Sequence, residues 1–241
     1  MAAVLYYGND DKLPQILEQF FLSRKEDAGE THSITRAADF KKFEEALIGI
    51  VFDLIFVAQA SLDKTPADWL TTFKKKYPNF TKPIVLLGDE ADPAKIMKLI
   101  EAGFADYFVN PPDRPLVIEK FGVLTAGKRN ADLRQVYSLK LSQPSDLAKP
   151  GFLEELSEFD CKIRTGQPVA PGEMILVYAP SFSPSGTTKA AVLGRCLECK
   201  DHEGFKGQFL ATFYFIGVTP DTLTHIRNSL RKSYVASKSK G

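Results

Sequence analysis

The chain has 241 residues, 44% hydrophobic and 25% charged, which is typical of a globular protein long enough for two domains. Its 31 Lys and Arg residues nearly balance its 30 Asp and Glu residues, which argues against a nucleic-acid binder with a basic surface. No apolar run approaches the ~20 residues of a membrane span, and three cysteines are too few for a disulfide framework. No basic segment precedes the first strand-like run, so we expect a cytoplasmic protein without a secretory signal.

The first half alternates strand-like apolar runs with amphipathic helical patterns. The predicted strands are 2–8, 32–37, 51–60, 82–89 and 105–112, and the predicted helices are 12–24, 38–49, 66–77, 92–103 and 114–127. The third strand, VFDLIFVAQA, is almost wholly apolar, as in strands buried on both faces of a parallel sheet. This alternation predicts an α/β doubly wound parallel five-stranded sheet.

The second half is strand-like and rich in turn residues, with QPSD, PVAPGE, SPSGTT and DHEGFKG read as turns. Such spacing predicts an antiparallel β-barrel, followed by a C-terminal helix over 219–234. The predicted domains are 1–127 and 128–235, with a disordered polar tail over 236–241. We expect the stripe of Leu223, Ile226 and Leu230 on the last helix to pack against the barrel.

The first half resembles the receiver domain of bacterial two-component signalling, a response-regulator family. The resemblance is carried by EAGFADYFVNP (101–111), by FDLIFVA (52–58) and by KPIVLLGDEAD (82–92). It implies a flavodoxin-like fold in which an Asp at the end of the third strand accepts a phosphoryl group. It also implies Mg²⁺ held by carboxylates, with a hydroxyl and a Lys stabilising the phosphate charge.

This sequence departs from the receiver pattern at each of those positions. The acidic pair falls on Gly8 and Asn9, the phosphoacceptor on Ala58 and the Lys on Asn110. The hydroxyl residue falls on Gly88, or on Leu87 if the register shifts by one residue. The resemblance therefore implies a pseudo-receiver that neither accepts phosphate nor binds Mg²⁺.

Three other carboxylates could in principle accept phosphate. Asp10 and Asp11 follow the first strand, where we expect a solvated turn and helix start, and Asp53 begins the third strand at the end away from the site. Residual phosphorylation at these residues is therefore a minor alternative.

The second half is similar to the PilZ domain, a small β-barrel family that commonly binds cyclic di-GMP. The similarity is carried by GFLEELSEFDCKIRTGQPVAPGEMILVY (151–178) and by GRCLECKDHEGFKGQFLATFYFIGVTPDTLTHIRNSL (194–230). The family binds its ligand through an Arg-x-x-x-Arg motif and an Asp/Asn-x-Ser-x-x-Gly motif, because guanidinium groups bind phosphates in a bidentate manner.

Both ligand motifs are degenerate here. Arg129 and Arg134 are one residue too far apart, and the second motif becomes Glu155, Ser157 and Asp160. Asp160 would place a negative charge where a dianionic ligand must approach. At ~4 Å and an effective dielectric constant of ~20, that costs on the order of 4 kcal/mol. Binding of cyclic di-GMP through Arg129, Arg134 and Ser157 remains the alternative function, and no other cofactor is implied.

Metal and enzyme sites find little support in the sequence. Cys196, Cys199 and His202, with Cys161, could form a zinc set. However, strand residues three apart point to opposite faces, so the pair would converge only across a turn. No histidine lies beside a nucleophile motif, and SPSGTTK lacks the spacing of a phosphate-binding loop. We expect no metal site and no enzyme activity.

These observations together predict a non-enzymatic bacterial signalling adaptor that acts by protein–protein interaction. The expected partners are proteins of a signalling or motility pathway, with a possible homodimer through residues 92–125. The two resemblances imply a process governed by cyclic di-GMP, such as motility or biofilm formation.

Overall fold

The computed structural model describes residues 2–126, 139–146, 150–183 and 190–238. The chain divides into two compact units, one formed mainly by each half, with residues 91–97 of the first half grouped with the second unit. The predicted boundary between 127 and 128 lies outside the described residues and stays a prediction. Among the described residues, no helix is both long and apolar enough to cross a membrane.

The first unit is a five-stranded parallel sheet in the order β2-β1-β3-β4-β5 with helices between the strands. Its strands are β1 (Ala3–Tyr7), β2 (Ser33–Ala37), β3 (Leu54–Ala58), β4 (Ile84–Gly88) and β5 (Asp106–Val109). The helices that alternate with these strands along the chain are α1 (Lys12–Ala28), α2 (Phe40–Gly49), α3 (Pro66–Lys76), α4 (Pro93–Glu101) and α5 (Arg114–Ala126). This confirms the predicted doubly wound sheet, whose strand order is that of the flavodoxin-like fold.

Local sequence signals explain where these helices begin and end. The Asp39 carboxylate accepts the Lys42 backbone N–H at 2.8 Å and so caps α2. Thr65 caps α3, with Pro66 at the first helical position. Helix α1 extends past its predicted end at residue 24. The prediction stopped there because the last turn of the helix is polar and carries no apolar periodicity. The helix ends where Gly29 takes the left-handed conformation, with φ of 65°.

The third strand is buried on both faces, as its apolar run predicts. All five residues of β3 are buried, as are all five of β4. The parallel partners of β3 are β1 and β4, so β3 is the central strand of the sheet. A strand in this position ends at the edge where ligands bind in open α/β sheets.

The second unit is a closed antiparallel barrel in the order β10-β11-β8-β7-β6-β9. Its strands are β6 (Leu139–Asp146), β7 (Pro150–Leu156), β8 (Asp160–Thr165), β9 (Met174–Tyr178), β10 (Ala191–Asp201) and β11 (Phe209–Ile216). A final helix, α6 (Pro220–Lys238), follows. The predicted barrel with a C-terminal helix is therefore confirmed.

Two details of the second unit differ from the sequence prediction. QPSD, read as a turn, is the second half of β6, where Pro144 pairs with Phe152 after a register shift. Helix α6 continues past residue 234 to Lys238, so the tail predicted to begin at 236 starts as helix within the described residues. The stripe Leu223, Ile226 and Leu230 is buried in the barrel core, as predicted.

Candidate functional site

The five positions predicted to have lost the phosphate chemistry lie at one edge of the first sheet. Gly8 and Asn9 follow β1, Ala58 ends β3, Gly88 ends β4 and Asn110 follows β5. Because all five strands are parallel, their carboxyl ends meet at this edge, which we call the carboxyl edge. The fold therefore brings these five residues together.

The space around Ala58 is filled by its neighbours. A Cβ atom placed on Gly8 would lie 2.6 Å from the Tyr6 hydroxyl oxygen and 2.7 Å from the Ala58 Cβ. Both distances are far below van der Waals contact, so position 8 has no room for a carboxylate unless a neighbour shifts. Ala58 is only 7% exposed and Tyr6 only 1% exposed.

The end of β4 is closed in a similar manner. A Cβ atom on Gly88 would lie 2.6 Å from the Tyr107 hydroxyl oxygen and would overlap Oε1 of Gln59. Gln59 begins the short 3₁₀ helix Gln59–Ser61 that follows β3. A Thr or Ser side chain at position 88 would therefore require both Gln59 and Tyr107 to shift.

The buried polar groups at the carboxyl edge are phenols and amides, and the carboxylates of Asp10 and Asp89 lie beside them. Burial raises the pKa of Tyr6 to about 12, with the negative charge of Asp10 as the second cause. Burial also raises the pKa of Tyr107 to about 12, and its hydroxyl accepts the Glu90 backbone N–H at 2.8 Å. Such groups can accept or donate hydrogen bonds, but they cannot serve as phosphoryl acceptors of the carboxylate type.

Two amide oxygens at this edge are buried without a hydrogen-bond partner among the described residues. They are Oε1 of Gln59 and Oδ1 of Asn110. The Asn110 amide nitrogen donates to the Asp89 carboxylate at 3.0 Å. The position of the receiver Lys is thus held by an amide that carries no charge to offset a phosphate.

The three aspartates considered from the sequence are each engaged in a local contact, and two of them, Asp10 and Asp11, follow β1. The Asp10 carboxylate accepts the Lys12 backbone N–H at 2.7 Å, and Asp11 accepts from the Arg36 guanidinium at 2.7 Å. These contacts match the turn and helix start predicted for this segment.

Asp53 lies at the opposite end of the sheet, just before β3 begins. It accepts the Ala3 backbone N–H at 3.1 Å and pairs with Lys82 at 3.1 Å. These contacts, the backbone N–H first, lower the pKa of Asp53. Its carboxylate ties the amino ends of β1 and β3 together and lies away from the carboxyl edge.

In the second unit, Ser157 and Asp160 form the tight turn between β7 and β8. The Ser157 hydroxyl oxygen accepts the backbone N–H groups of Phe159 at 3.1 Å and Asp160 at 3.0 Å. The same hydroxyl donates to the Asp160 carboxylate, and both residues are less than 9% exposed. The hydrogen-bonding capacity of Ser157 is therefore used within the turn.

Glu155 lies beside this turn, in a cross-strand ion pair. Its carboxylate is 2.7 Å from the Lys162 ammonium group, which lies opposite it on β8. Arg129 and Arg134, the other predicted ligand residues, lie outside the described residues. The structure thus brings Glu155, Ser157 and Asp160 together around one strand connection.

Cys196 and Cys199 of β10 both contact the backbone of Val169, because of a β-bulge that the sequence did not reveal. A β-bulge lies between Cys196 and Glu198, and it offsets the normal alternation of side chains. The Cys196 thiol donates to the Val169 carbonyl at 3.8 Å, and Cys199 Sγ accepts the Val169 backbone N–H at 3.4 Å. The prediction that convergence needs a turn was therefore wrong, because a bulge suffices.

Among the described residues, His202 and Cys161 do not complete a zinc-binding group with Cys196 and Cys199. His202 lies against the Glu154 carboxylate at 3.0 Å, and its other ring nitrogen accepts the Gly204 backbone N–H at 2.9 Å. Burial strongly raises the pKa of the Cys161 thiol. Within the described parts of the chain, no three His, Cys, Asp or Glu residues form a group that could hold a metal ion.

No family model matches the chain, and no curated protein does so. Among solved structures, the chain is similar to a chemotaxis response regulator of Vibrio cholerae, with 16% identity and a TM-score of 0.42 over 52% of this chain and 98% of that one. It is also similar to the receiver domain of a Saccharomyces cerevisiae response regulator, solved with a histidine phosphotransfer protein, with 18% identity and a TM-score of 0.41 over 54% and 93%.

A third similar structure is the inhibitor of motility of Bacillus subtilis, with 8% identity and a TM-score of 0.37. The likeness covers 45% of this chain and 54% of that protein, so the chain spans about half of its length. These sequence identities and TM-scores are too low to carry the fold assignment. It depends instead on the strand order and helix placement described above. By those criteria, the first half of the chain has a receiver-like fold.

Proposed function

We propose that this protein is a non-enzymatic signalling adaptor whose receiver-like unit works without phosphorylation. The observation that carries the proposal is the filled carboxyl edge. Tyr6, Ala58, Gln59 and Tyr107 occupy the space in which a receiver holds its carboxylates and hydroxyl. A surface of fixed shape then remains available for protein partners.

Mg²⁺ binding is disfavoured at this edge for a simple reason of coordination chemistry. The ion needs near-octahedral geometry and commonly takes one or two carboxylates together with phosphate oxygens. The Asp10 carboxylate is already engaged with the first turn of α1, and Ala58 supplies no oxygen. The edge therefore lacks the acceptor carboxylate, and neither Gly8 nor Ala58 supplies a side-chain oxygen to the ion.

We further propose that the barrel is a PilZ-like module that does not depend on cyclic di-GMP. Ser157 is fully engaged in its own turn, and Glu155 is paired with Lys162. A dianionic ligand near Asp160 would meet a like charge, at a cost on the order of 4 kcal/mol at ~4 Å. The alternative, a genuine receptor, would have to open this turn and use Arg129 and Arg134.

The proposed partners are proteins of a cytoplasmic signalling or motility pathway. The predicted homodimer face over 92–125 also remains a proposal, and within it the segment from Leu116 to Phe121 is buried in the single chain. The exposed residues of this range would therefore have to supply such a face.

Two titrations of the full chain test the proposal. The first uses Mg²⁺ with beryllofluoride, a non-covalent mimic of an acyl phosphate, and we expect no heat of binding. The second uses cyclic di-GMP, and we again expect no binding in the micromolar range. Micromolar binding that is lost in Arg134→Ala but kept in the surface control Lys98→Ala would establish the receptor function instead.

A further inference from the structure

The outer edge of β2 offers unpaired backbone groups. The Ser33 N–H donates to the Ala2 carbonyl at 3.0 Å, and the Ala37 carbonyl accepts from the Gly8 N–H at 3.1 Å, so these residues face β1. In a parallel ladder the alternate residues, Ile34 and Arg36, then direct their N–H and C=O groups away from the sheet. No backbone group within the described ranges bonds to them there.

A groove runs beside this edge, between β2 and α1. Its volume is about 440 Å³, within the range of side-chain and ligand pockets. Phe21, Leu22 and Ile34 supply its apolar surface, and Leu22 is 61% exposed. Side chains of a strand added beside β2 alternate between the two faces of the sheet, so every second one would enter this groove.

The floor of the groove is held in place by His32. One ring nitrogen accepts the Ala2 backbone N–H at 3.1 Å, and the other lies 3.2 Å from the Glu30 carboxylate. The ring also packs 5.1 Å from the ring of Phe21. A site whose shape is fixed beforehand loses less conformational entropy on binding than a mobile one.

The charges along the groove differ at its two ends. Arg36 pairs with Asp11 at 2.7 Å and with Glu18 at 2.9 Å, so two carboxylates surround one guanidinium. Lys25 also lines the groove, and no carboxylate among the described residues pairs with it. An acidic side chain would therefore be attracted to the Lys25 end and a basic one to the Arg36 end.

We propose that the β2 edge and its groove bind an extended segment of a partner protein by strand addition. The segment pairs with the backbone of Ile34 and Arg36 and places an apolar side chain beside Leu22. It also carries an acidic residue near Lys25. This mode derives affinity from main-chain hydrogen bonds and specificity from alternate side chains. The inference rests on the proposed adaptor function, although it does not involve the carboxyl edge.

The test begins with a phage-displayed library of random linear peptides selected on the full chain. Counter-selection on the Leu22→Glu variant removes peptides that bind elsewhere. The best selected peptide is synthesised, and its affinity is measured by fluorescence anisotropy. We expect selected sequences to combine an apolar residue with an acidic one, and to bind Leu22→Glu at least about tenfold more weakly because of lost apolar burial.

Two further variants and one exchange measurement complete the test. Lys25→Glu should weaken binding by about three- to tenfold, because charge reversal replaces an attraction with a repulsion at an exposed site. Ile48→Glu, at an apolar residue that is 83% exposed but outside the groove, should bind normally. Bound peptide should slow hydrogen exchange at the Ile34 and Arg36 amides.

Failure to enrich any peptide after counter-selection would overturn the proposal, as would unchanged exchange at both amides in the complex. Neither result depends on phosphate or Mg²⁺, so failure here is distinguishable from failure of the phosphate-independent adaptor function.

Discussion

Restoring the missing nucleophile at the end of β3 should destabilise the first unit rather than repair it. The Ala58→Asp variant would place a carboxylate at a position that is 7% exposed, against Gly8 and the Tyr6 hydroxyl. In a receiver, a Lys and Mg²⁺ would balance this charge, but here the Lys position is Asn110. An uncompensated buried charge costs about 3–5 kcal/mol. At ~4 kcal/mol, the folding equilibrium changes by roughly a thousandfold.

The Ala58→Asn variant is the matched control, because it has nearly the same shape without the charge. The loss of unfolding free energy in this variant reports the steric cost alone. We expect the Ala58→Asp variant to be less stable than the Ala58→Asn variant by about 2–4 kcal/mol at pH 7. Burial raises the pKa of the introduced carboxyl above its unfolded value of ~3.9. The penalty should therefore be present at neutral pH and shrink as the pH falls through the raised pKa and the group becomes neutral.

The assay is urea unfolding followed by tryptophan fluorescence. Trp69 is the single tryptophan of the chain and is buried on α3, so the signal reports on the first unit. Equal stability of the Asp and Asn variants at pH 7 would refute the reasoning, since it would show that the carboxyl edge can stabilise a charge. An Asp variant that is stabilised by added Mg²⁺ would refute it as well.

Three further outcomes are expected. Lys120→Met should destabilise the first unit by about 3–5 kcal/mol in the same assay, because it leaves the buried Asp106 carboxylate, 2.7 Å from the Lys120 ammonium, without its countercharge. Adding Asp106→Leu should recover part of that loss, and a strictly additive double mutant would argue against the pair. Tyr107→Phe should speed hydrogen exchange of the Glu90 amide about fivefold, since one hydrogen bond contributes ~1 kcal/mol, and unchanged exchange would show that this bond is not formed in solution. Ser157→Ala should lower the thermal unfolding midpoint of the barrel, because two backbone N–H groups and a carboxylate lose their partner, while Ser157→Thr should retain most of the stability.

The doubly wound sheet of the first unit was predictable because each strand is a short apolar run separated from the next by an amphipathic helix, whereas its strand order was implied only by the resemblance to the receiver domain. The five positions of the carboxyl edge could also be located, because the resemblance to the receiver domain assigns each of them to the end of a strand. Their surroundings could not be predicted. Tyr6 lies inside a strand, and nothing in a linear pattern shows that its hydroxyl reaches the space above Gly8.

The barrel illustrates a different limit of sequence interpretation. Its alternating strands and turn residues indicated the fold, but bulges are register shifts that depend on the partner strand. The bulge between Cys196 and Glu198 was therefore not predicted, and Cys196 and Cys199 were expected on opposite faces of their strand. The buried pair of Lys120 and Asp106 was missed for a related reason, because charged residues are interpreted as exposed unless a partner is visible.

The central claim is that the receiver-like unit does not accept phosphate, and the intact mass of the full chain tests it most directly. The chain is incubated with acetyl phosphate and Mg²⁺ beside a receiver domain that retains its acidic residues as the positive control. We predict that the control gains one phosphoryl group while the mass of this chain stays unchanged. A gain of one phosphoryl group, mapped to Asp10, Asp11 or Asp53, would contradict the account.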